Sequence, residues 1–425
     1  MNDNPYLDYR GEPRVVVTGL GMVSPIGNTV AENWESVMQG DSGISEITSF
    51  DAADLPCQIA GEVKNFNPEK FIPRKEVRRM ARVSHLAIAA TREAMKSAGF
   101  DEHVPNPERT GVLVGTAIGG FDYGEANMHT LRTRGLSKVS PFAILGALPN
   151  MVSHYVSTAV KALGPISTIA TACATGTQSI GEALEYIRRG RADMMIAGGS
   201  DGMVHPCTLA GFAVMRGLVT GYNNKPGEAC RPFTKDRSGF IVSEGAGVVV
   251  LERLDQALER GAKIFAEIKG HASSSDAFHM AALDPTADGA VRCMRWALED
   301  AKIDPKRIGY INAHGSSTPT NDRLETVAIK RVFGEHAYDI PISSTKALTG
   351  HALGAAGAIE AIYTIKALET GILPPTWNYD VPDPELDLDY IPNKPRETKV
   401  NVALSNSFGL GGQNATLVIG SPPIA

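Results

Sequence analysis

The chain has 425 residues, of which 43% are hydrophobic and 21% are charged, and its formal net charge is −6. This composition is typical of a globular protein, and the acidic balance excludes the overall basic signature of a nucleic-acid-binding protein. No apolar run reaches the roughly 18 residues of a membrane span, and the polar N-terminal stretch MNDNPYLDYRGEP does not resemble a signal peptide.

The five cysteines are widely separated, and none belongs to a CxxC pair. An odd and scattered set of cysteines is not typical of a disulfide framework or a zinc site, and it indicates a reducing compartment. We therefore expect a cytoplasmic protein that binds no metal, no nucleic acid and no membrane.

The first part of the chain predicts buried strands separated by helices, because short apolar runs alternate with segments of helical periodicity. The predicted strands span residues 14–19, 111–115, 166–171, 194–199 and 247–252. Helices are predicted to begin near Asn28 or Thr29, to occupy much of 73–99 and 140–162, and to follow the strands that end at 171 and 252. Residues 116–124 and 201–240 are predicted to be loop-rich.

The second part repeats this order of elements. Strands are predicted at residues 264–270, 308–313, 340–345, 400–405 and 415–420, and helices at 287–302, from Asp322 and at 355–369. Because the order repeats and not only the type of element, we predict an internal duplication of an αβ unit, with halves at residues 1–260 and 261–425. A single doubly wound sheet is the alternative.

The stretch ISTIATACATGTQSIGEALEYIRR, residues 166–189, places a cysteine between a strand and a helix. Cys173 would lie near the positive end of the helix dipole, where free backbone N–H groups favour the thiolate. The same groups could hold a developing oxyanion. Cys173 is therefore a candidate nucleophile, and a buried structural cysteine is the alternative.

Two histidines stand in small-residue loops that follow predicted strands of the second half. NAHGSSTPTND contains His314, and STKALTGHALGAAG contains Lys346 and His351. Because strand ends converge at one edge of such a sheet, we expect these loops to meet near Cys173. His279, in the loop SSSDAFHM, is a weaker candidate.

The turn SNSFGLGGQN, residues 405–414, follows another buried strand. It lacks the patterns of a phosphate loop, so we interpret it as a turn whose backbone donors face the cysteine. A cysteine with one histidine and an asparagine would suit hydrolysis, whereas two histidines can both donate to an enolate oxygen. Lys346 would add positive charge there, and Glu360 could neutralise and orient it.

The stretches TACATGTQSI, NAHGSSTPTND, STKALTGHALGAAG and SNSFGLGGQN closely resemble the elongating β-ketoacyl-acyl carrier protein synthases, over about residues 13–420. The resemblance implies an α/β thiolase fold, with two duplicated βαβαβαββ halves in a five-layer αβαβα arrangement. It assigns the catalytic roles to Cys173, His314 and His351, with Lys346 as the matching lysine and Glu360 behind it. A thiolase would need a second cysteine in the C-terminal turn, and the initiating synthase III has Asn where His351 stands.

The resemblance also implies the reaction, a decarboxylative Claisen condensation in fatty acid elongation. Cys173 would take an acyl chain from an acyl carrier protein, and malonyl-carrier protein would lose CO2 with its thioester oxygen held by His314 and His351. The oxyanion hole would be the backbone N–H groups of Cys173 and Leu410. The family needs no bound cofactor, because the carrier protein brings the phosphopantetheine, and it forms homodimers.

By the same resemblance, an acyl tunnel would run beside Ile118 and Phe212 toward a dimer interface near residues 141–145, with Arg216 at its mouth. The basic stretch PRKEVRRM would dock the carrier protein, and a solvated charged surface is the alternative interpretation. Its proposed docking residues are Arg74, Lys75, Arg78 and Arg79.

Two residues depart from the family pattern, which usually has Phe at Leu410 and Thr at Ala281. These departures affect the expected chain-length preference and the contacts to the pantetheine arm, and they leave two alternatives open. One is the ketosynthase of a type II polyketide pathway. The other is a non-catalytic partner subunit that sets chain length, which Cys173 argues against because such subunits lack the nucleophile.

Overall fold

The computed structural model describes residues 4–423 of the chain. Within them, ten strands form one mixed sheet, and the pairs β2–β3 and β11–β12 form two small ladders. The strands are β1 (Val15–Val23), β2 (Ile44–Glu46), β3 (Ile59–Gly61), β4 (Thr110–Gly115), β5 (Ile166–Ser167), β6 (Met194–Asp201), β7 (Gly245–Arg253), β8 (Ala266–Ser275), β9 (Tyr310–Asn312), β10 (Ile342–Ser343), β11 (Ile372–Leu373), β12 (Arg396–Glu397), β13 (Val402–Gly409) and β14 (Gln413–Gly420).

Helices pack against both faces of each five-stranded half of this sheet. They are α1 (Val30–Gln39), α2 (Arg74–Val77), α3 (Arg82–Ser97), α4 (Phe121–Arg134), α5 (Ala143–Ala147), α6 (Met151–Val160), α7 (Thr175–Arg188), α8 (Pro206–Val214), α9 (Leu254–Glu259), α10 (Asp288–Ala301), α11 (Pro319–Phe333), α12 (Lys346–Thr349) and α13 (Ala356–Thr370). In the part of the chain that the structure describes, no helix combines the length and the apolar character that crossing a bilayer requires.

The strand order shows the duplication directly. It runs β10-β9-β13-β14-β8 and then β1-β7-β6-β4-β5, so each half has the same order when counted outward from the centre. In both halves the two outer pairings are parallel and the two inner ones are antiparallel. A short antiparallel ladder, Val15–Val17 with Ala266–Ile268, joins the halves. This arrangement is the predicted thiolase fold, and it pairs β6 with β13 and α7 with α13 as structural counterparts.

The halves fold around two buried central helices. Helix α7 presents Ile180, Leu184 and Ile187 to a core that also contains residues of α13 and of strands from both halves. Successive strand residues point to opposite faces, so Leu113 of β4 joins this central core while Val112 joins an outer core with α3 and α6. Helices α10 and α11 cover the corresponding outer face of the second half. The layers are therefore αβαβα, and strands covered on both faces appear in the sequence as continuous apolar runs.

Two glycines allow α7 and α13 to approach closely. A Cβ at Gly176 would lie 2.6 Å from the backbone nitrogen of Ala358, and one at Gly357 would lie 2.1 Å from the Thr177 hydroxyl oxygen. Neither space is large enough for a methyl group. The helix that follows Cys173 is thus held directly against the helix that follows His351.

Several elements differ from the predictions. Helix α8 lies in a segment predicted to be loop-rich, and α4 begins in another and continues through residues 125–134, for which no element was predicted. The predicted helix over 140–162 is two helices, α5 and α6. The β-branched run 166–171 pairs only through Ile166–Ser167, because β5 is the edge strand and the chain then bends toward Cys173. The basic stretch is not one helix either. Helix α2 ends at Val77, and the two arginines Arg78 and Arg79 lie beyond its end.

Candidate active site

Cys173 lies in a tight turn between the edge strand β5 and helix α7. Ala172 has the left-handed backbone conformation, φ 49°, and residues 172–174 form a single 3₁₀ turn. The Thr175 hydroxyl accepts a hydrogen bond from the backbone N–H of Thr171 at 2.8 Å, which holds the turn closed. A non-glycine residue in this conformation is strained and persists only where the surrounding fold enforces it. The sulfur is thereby presented at the floor of a cavity.

His314 follows β9 in a loop that a buried carboxylate holds in place. Glu325 of α11 accepts hydrogen bonds from the backbone N–H groups of His314 and Gly315 at 2.9 and 2.8 Å. Burial raises the pKa of Glu325 to about 7. Glu325 was not among the site residues predicted from the sequence, although its position as an acidic residue on the buried face of a predicted helix was an available signal.

His351 is positioned by main-chain contacts to residues that precede β7. Its N–H donates to the carbonyl of Ile241 at 2.7 Å, and its carbonyl accepts from the N–H of Ser243 at 3.0 Å. The Phe240 ring packs edge-on against the imidazole, with centroids 5.5 Å apart. Residues of the first half therefore position a histidine of the second half.

The three side chains converge. A ligand atom from each of Cys173, His314 and His351 lies within 4.8 Å of the other two, and the imidazole centroids are 5.3 Å apart at an interplanar angle of 78°. The Nδ1 atoms of both rings are buried without a hydrogen-bond partner among residues 4–423, which leaves Nε2 as the nitrogen available to a substrate. Thiolate and imidazole are also zinc ligands. Among the described residues, these three side chains are the group whose ligand atoms lie close enough together to hold a metal ion.

Lys346 lies behind the histidines in a fully buried position. Its ammonium group donates to the carbonyl oxygen of His314 at 2.5 Å and forms an ion pair with Glu360 of α13. Burial raises the pKa of Glu360 to about 7, and the positive charge of Lys346 opposes this rise. The lysine therefore does not reach the cavity but contributes charge and a backbone anchor from behind it.

Burial determines the protonation states at the site. It lowers the pKa of both His314 and His351 well below 6.5, and the charge of Lys346 lowers them further. Both imidazoles are therefore neutral at neutral pH, and each can donate one hydrogen bond.

The expectation of a thiolate at Cys173 is wrong, because the buried position favours the thiol. Burial raises the pKa of the thiol to about 11, although the N–H of Leu410 and the charge of Lys346 both act to lower it. The helix dipole acts only over the first turn of α7, whereas loss of water acts on the whole group.

A cavity of about 600 Å³ opens above the three side chains. Predicted site residues on its lining are Phe212, Arg216 and Leu410, and Ala281 and His279 also line it. His279 accepts hydrogen bonds from the N–H groups of Ala281 and Ala282 through Nδ1, so it shapes the wall of the cavity. Ile118 does not lie on this lining, and its predicted contact with an acyl chain stays a prediction.

The glycine-rich turn forms the hairpin between β13 and β14 and lies against Cys173. The backbone N–H of Leu410 lies near the sulfur and acts to lower the pKa of the thiol, against the larger effect of burial. A Cβ at Gly409 would lie 2.7 Å from the carbonyl oxygen of Thr171 and 3.1 Å from the nitrogen of Cys173. The space beside the Cys173 N–H is therefore open only because Gly409 has no side chain.

The predicted docking residues are all exposed on one side of the molecule. Arg74 pairs with Glu69 at 3.4 Å, and Arg79 pairs with Glu76 at 2.8 Å. Lys75 and Arg78 form no ion pair with any residue between 4 and 423. Their charges remain available to an acidic partner.

Comparison with known proteins places these features in one family. The N-terminal domain of beta-ketoacyl synthase matches residues 12–257, and the C-terminal domain matches residues 265–380. The chain is 47% identical over 404 residues to the 3-oxoacyl-[acyl-carrier-protein] synthase 2 of Synechocystis sp. (strain ATCC 27184 / PCC 6803 / Kazusa), covering 95% of this chain and 97% of the relative. It is 46% identical over 406 residues to the protein of the same name from Coxiella burnetii (strain RSA 493 / Nine Mile phase I), covering 96% and 98%.

Two similar solved structures contain ketosynthases. The ishigamide ketosynthase/chain length factor superposes with a TM-score of 0.89 at 34% identity, covering 97% of this chain and 100% of that chain. A type II polyketide ketosynthase bound to its acyl carrier protein, AntDE:AntF, superposes with a TM-score of 0.88 at 35% identity and the same coverage.

Proposed function

Because the chain belongs to the beta-ketoacyl synthase family, we propose that Cys173, His314 and His351 carry out the family's condensation in the cavity described above. The protein is a 3-oxoacyl-[acyl-carrier-protein] synthase of the synthase 2 type. It joins an acyl chain to the two-carbon unit of malonyl-acyl carrier protein in fatty acid elongation, giving 3-oxoacyl-acyl carrier protein and CO2. The observation that carries the assignment of residues is the meeting of one thiol and two neutral imidazoles in one pocket.

In the first step Cys173 takes the acyl chain. Its sulfur bonds to the thioester carbon, the bond from that carbon to the pantetheine sulfur breaks, and the thiol proton passes through a neutral imidazole to the departing sulfur. A neutral histidine can accept this proton because one of its ring nitrogens carries a free lone pair. The N–H groups of Cys173 and Leu410 would hold the oxyanion, each such donor being worth about 10²–10³ in rate.

In the second step the malonyl group loses CO2. The electron pair of the breaking C–C bond moves onto the thioester, and the Nε2–H groups of His314 and His351 stabilise the enolate oxygen. The carbanion then attacks the acyl carbon, and the Cys173 sulfur leaves and regains a proton. Splitting the condensation in this way replaces one difficult step by two easier ones.

Lys346 acts on both steps through the histidines. Burial makes the imidazoles neutral and the charge of Lys346 lowers their pKa further, so they are hydrogen-bond donors and proton acceptors rather than cations. Its bond to the His314 carbonyl fixes the loop. Glu360 keeps this buried ammonium group from being an isolated charge, which would otherwise be costly.

The substrate partner is an acyl carrier protein, as in the AntDE:AntF complex. Lys75 and Arg78 are well suited to dock an acidic carrier, because no acidic residue among those described neutralises them, and Arg74 and Arg79 would extend the surface. Arg216 and Phe212 both line the cavity, and in this proposal the pantetheine arm would enter beside Arg216. The reaction needs no cofactor bound by this chain, since the arm arrives on the carrier.

A homodimer would complete the acyl-binding region. Helix α5, the edge strand β5 and the connection before β5 expose large apolar side chains, with Ile144 73%, Leu163 71% and Ile166 51% accessible. Exposed apolar patches beside an unpaired strand edge mark association surfaces. Light scattering of the purified protein should give twice the chain mass, and Ile166→Lys should give a monomer.

A polyketide ketosynthase is the second candidate, favoured by the fold similarity to the type II polyketide ketosynthase of the AntDE:AntF complex. The higher identity to the synthase 2 relatives favours fatty acid elongation. Mass spectrometry after incubation with acyl-carrier protein should show an acyl adduct on Cys173, followed by a single elongation on adding malonyl-carrier protein. Absence of the adduct would contradict both candidates, and repeated elongation without reduction would favour the polyketide reaction.

A further inference from the structure

The duplicated fold contains a counterpart of the active-site turn that has no nucleophile. Ala172, with φ 49°, precedes Cys173, and Leu353, with φ 48°, precedes Gly354. In each half a single 3₁₀ turn follows and leads into a central helix, α7 or α13. Gly354 therefore stands where Cys173 stands in the other half.

The residues that face these two turns are also counterparts. Gly409 ends β13 and lies beside the nitrogen of Cys173. Asp201 ends β6, the corresponding strand of the first half. The last residue of the strand has no side chain at the catalytic turn, where it is Gly409, whereas it carries a carboxylate at the second turn, where it is Asp201.

That carboxylate occupies a complete set of donors. One oxygen of Asp201 accepts from the N–H groups of Gly354 at 2.6 Å and Ala117 at 2.9 Å. The other accepts from the Thr116 hydroxyl at 2.7 Å and the N–H of Ile118 at 3.4 Å. Asp201 is fully buried, and no positively charged side chain pairs with it among residues 4–423. Its charge is therefore balanced by backbone and hydroxyl dipoles alone.

We propose that the second turn is an anion cradle, the counterpart of the oxyanion-binding side of the active site, and that Asp201 fills it permanently as a positioning residue for the catalytic cavity. One side of the cradle is Gly354, three residues after His351 and next to Leu353, which lines the cavity. The other side is the loop after β4, which carries Ile118. Asp201 thus ties the histidine segment of the second half to the loop of the first half.

The close packing explains why only one turn is catalytic. A Cβ at Gly354 would lie 2.5 Å from the Asp201 carboxylate oxygen and 2.5 Å from the nitrogen of Ala117. A cysteine cannot occupy this position while the carboxylate is present. The carboxylate replaces a second reactive centre by a fixed contact that supports the first.

This inference rests on the proposed function for its activity readout, and a binding readout tests it separately. Asp201→Ala removes the carboxylate and leaves room for formate, a one-carbon anion, beside the same four donors. We expect malonyl decarboxylation to fall about 10–100-fold, since small displacements of catalytic groups have effects of this size. Sodium formate should restore it at least about threefold and should raise the denaturant midpoint of the variant, because a ligand stabilises the state that binds it. Sodium chloride at equal ionic strength should do neither.

Glu93 provides a matched control, because it also accepts two backbone N–H groups, from Met22 and Val30, each at 2.8 Å. Glu93→Ala should lower stability without formate-dependent recovery of activity. If Asp201→Ala does not fold, Asp201→Asn is measured instead, and it should lose decarboxylation and gain nothing from formate because the amide fills the space. Wild-type decarboxylation in either variant, or equal formate effects on Asp201→Ala and Glu93→Ala, would overturn the inference. If the wild type itself does not condense, the proposed function fails, and formate stabilisation still decides whether the cradle exists.

Discussion

The ammonium group of Lys346 lies 2.5 Å from the main-chain carbonyl oxygen of His314. The lysine is thus bonded to the backbone of the residue whose imidazole pKa, already lowered by burial, its charge lowers further. This contact links the geometry of the loop to the protonation state of the ring, so a change at Lys346 should affect both.

Replacing Lys346 with Met should destabilise the fold by about 3 kcal/mol, because it leaves Glu360 as a buried carboxyl group without its partner. The second substitution Glu360→Gln in the same chain should recover part of this loss, since it removes the unpaired charge. Urea unfolding of the single and double variants measures both effects. Equal stability of the two variants would show that the pair is not coupled.

The pH dependence of malonyl decarboxylation should reflect neutral histidines. Burial and the charge of Lys346 hold the pKa of His314 and His351 well below 6.5. The decarboxylation rate should therefore stay constant as the pH falls from neutral past about 6.5, the pKa of an ordinary histidine. Lys346→Met removes the positive charge that disfavours protonation of the imidazoles, so the pKa values of both histidines should rise. The loss of rate in acid should then begin at a higher pH than in the wild type. An unchanged profile in the variant would contradict the role of Lys346.

Cys173→Gln should abolish condensation, by at least about 10³-fold, because the covalent step is lost. Malonyl decarboxylation should persist, since both imidazoles remain. The exposed Cys207 gives the control, and Cys207→Ser should leave both activities unchanged. Loss of both activities in Cys173→Gln, in a variant that is folded by circular dichroism, would contradict the separate roles of thiol and histidines.

Gly409→Ala should impair acyl transfer by about 100-fold, the effect expected for loss of one oxyanion donor. The added methyl group would lie 3.1 Å from the nitrogen of Cys173 and 2.7 Å from the carbonyl oxygen of Thr171. In Gly211→Ala, within α8, the new methyl group would meet nothing within 4 Å, and activity should be unchanged. Single-turnover acylation followed by mass spectrometry gives the rates.

Charge reversal at Lys75 and Arg78 should raise KM for carrier-protein substrates about 10-fold or more, and this effect should weaken as salt is added. Small thioester substrates should show no change, because they do not use the docking surface. Lys96→Glu, at an exposed position at the end of α3, is the control for net charge. Equal effects on carrier-bound and small substrates would exclude docking at this surface.

Much of the fold could be predicted because its central strands are covered on both faces. Runs such as GVLVG in β4 and GVVVLE in β7 contain almost no polar residues, and the same sequence of runs occurs twice. Helix α4 could not be found in this way. None of its residues is buried, so it has no apolar stripe and no period to detect.

The candidate site was predictable in its members but not in its electrostatics. Cys173, His314 and His351 each follow a strand end, which is a local signal. The pKa of the thiol depends on how much water the folded second half removes, and Asp201 acts through a contact with a turn 153 residues further along the chain. No pattern along the chain carries that information.

The close packing of α7 against α13, at Gly176 beside Ala358 and at Gly357 beside Thr177, has a consequence for how the enzyme tolerates change. The sulfur is fixed to one central helix and an imidazole to the other, so the separation of the two helices sets the distance between these reacting groups. A single added methyl group at either glycine would push the helices apart and increase that distance, while leaving every reacting group chemically intact. Activity should therefore be lost by mutation at this helix contact well before the fold itself is lost.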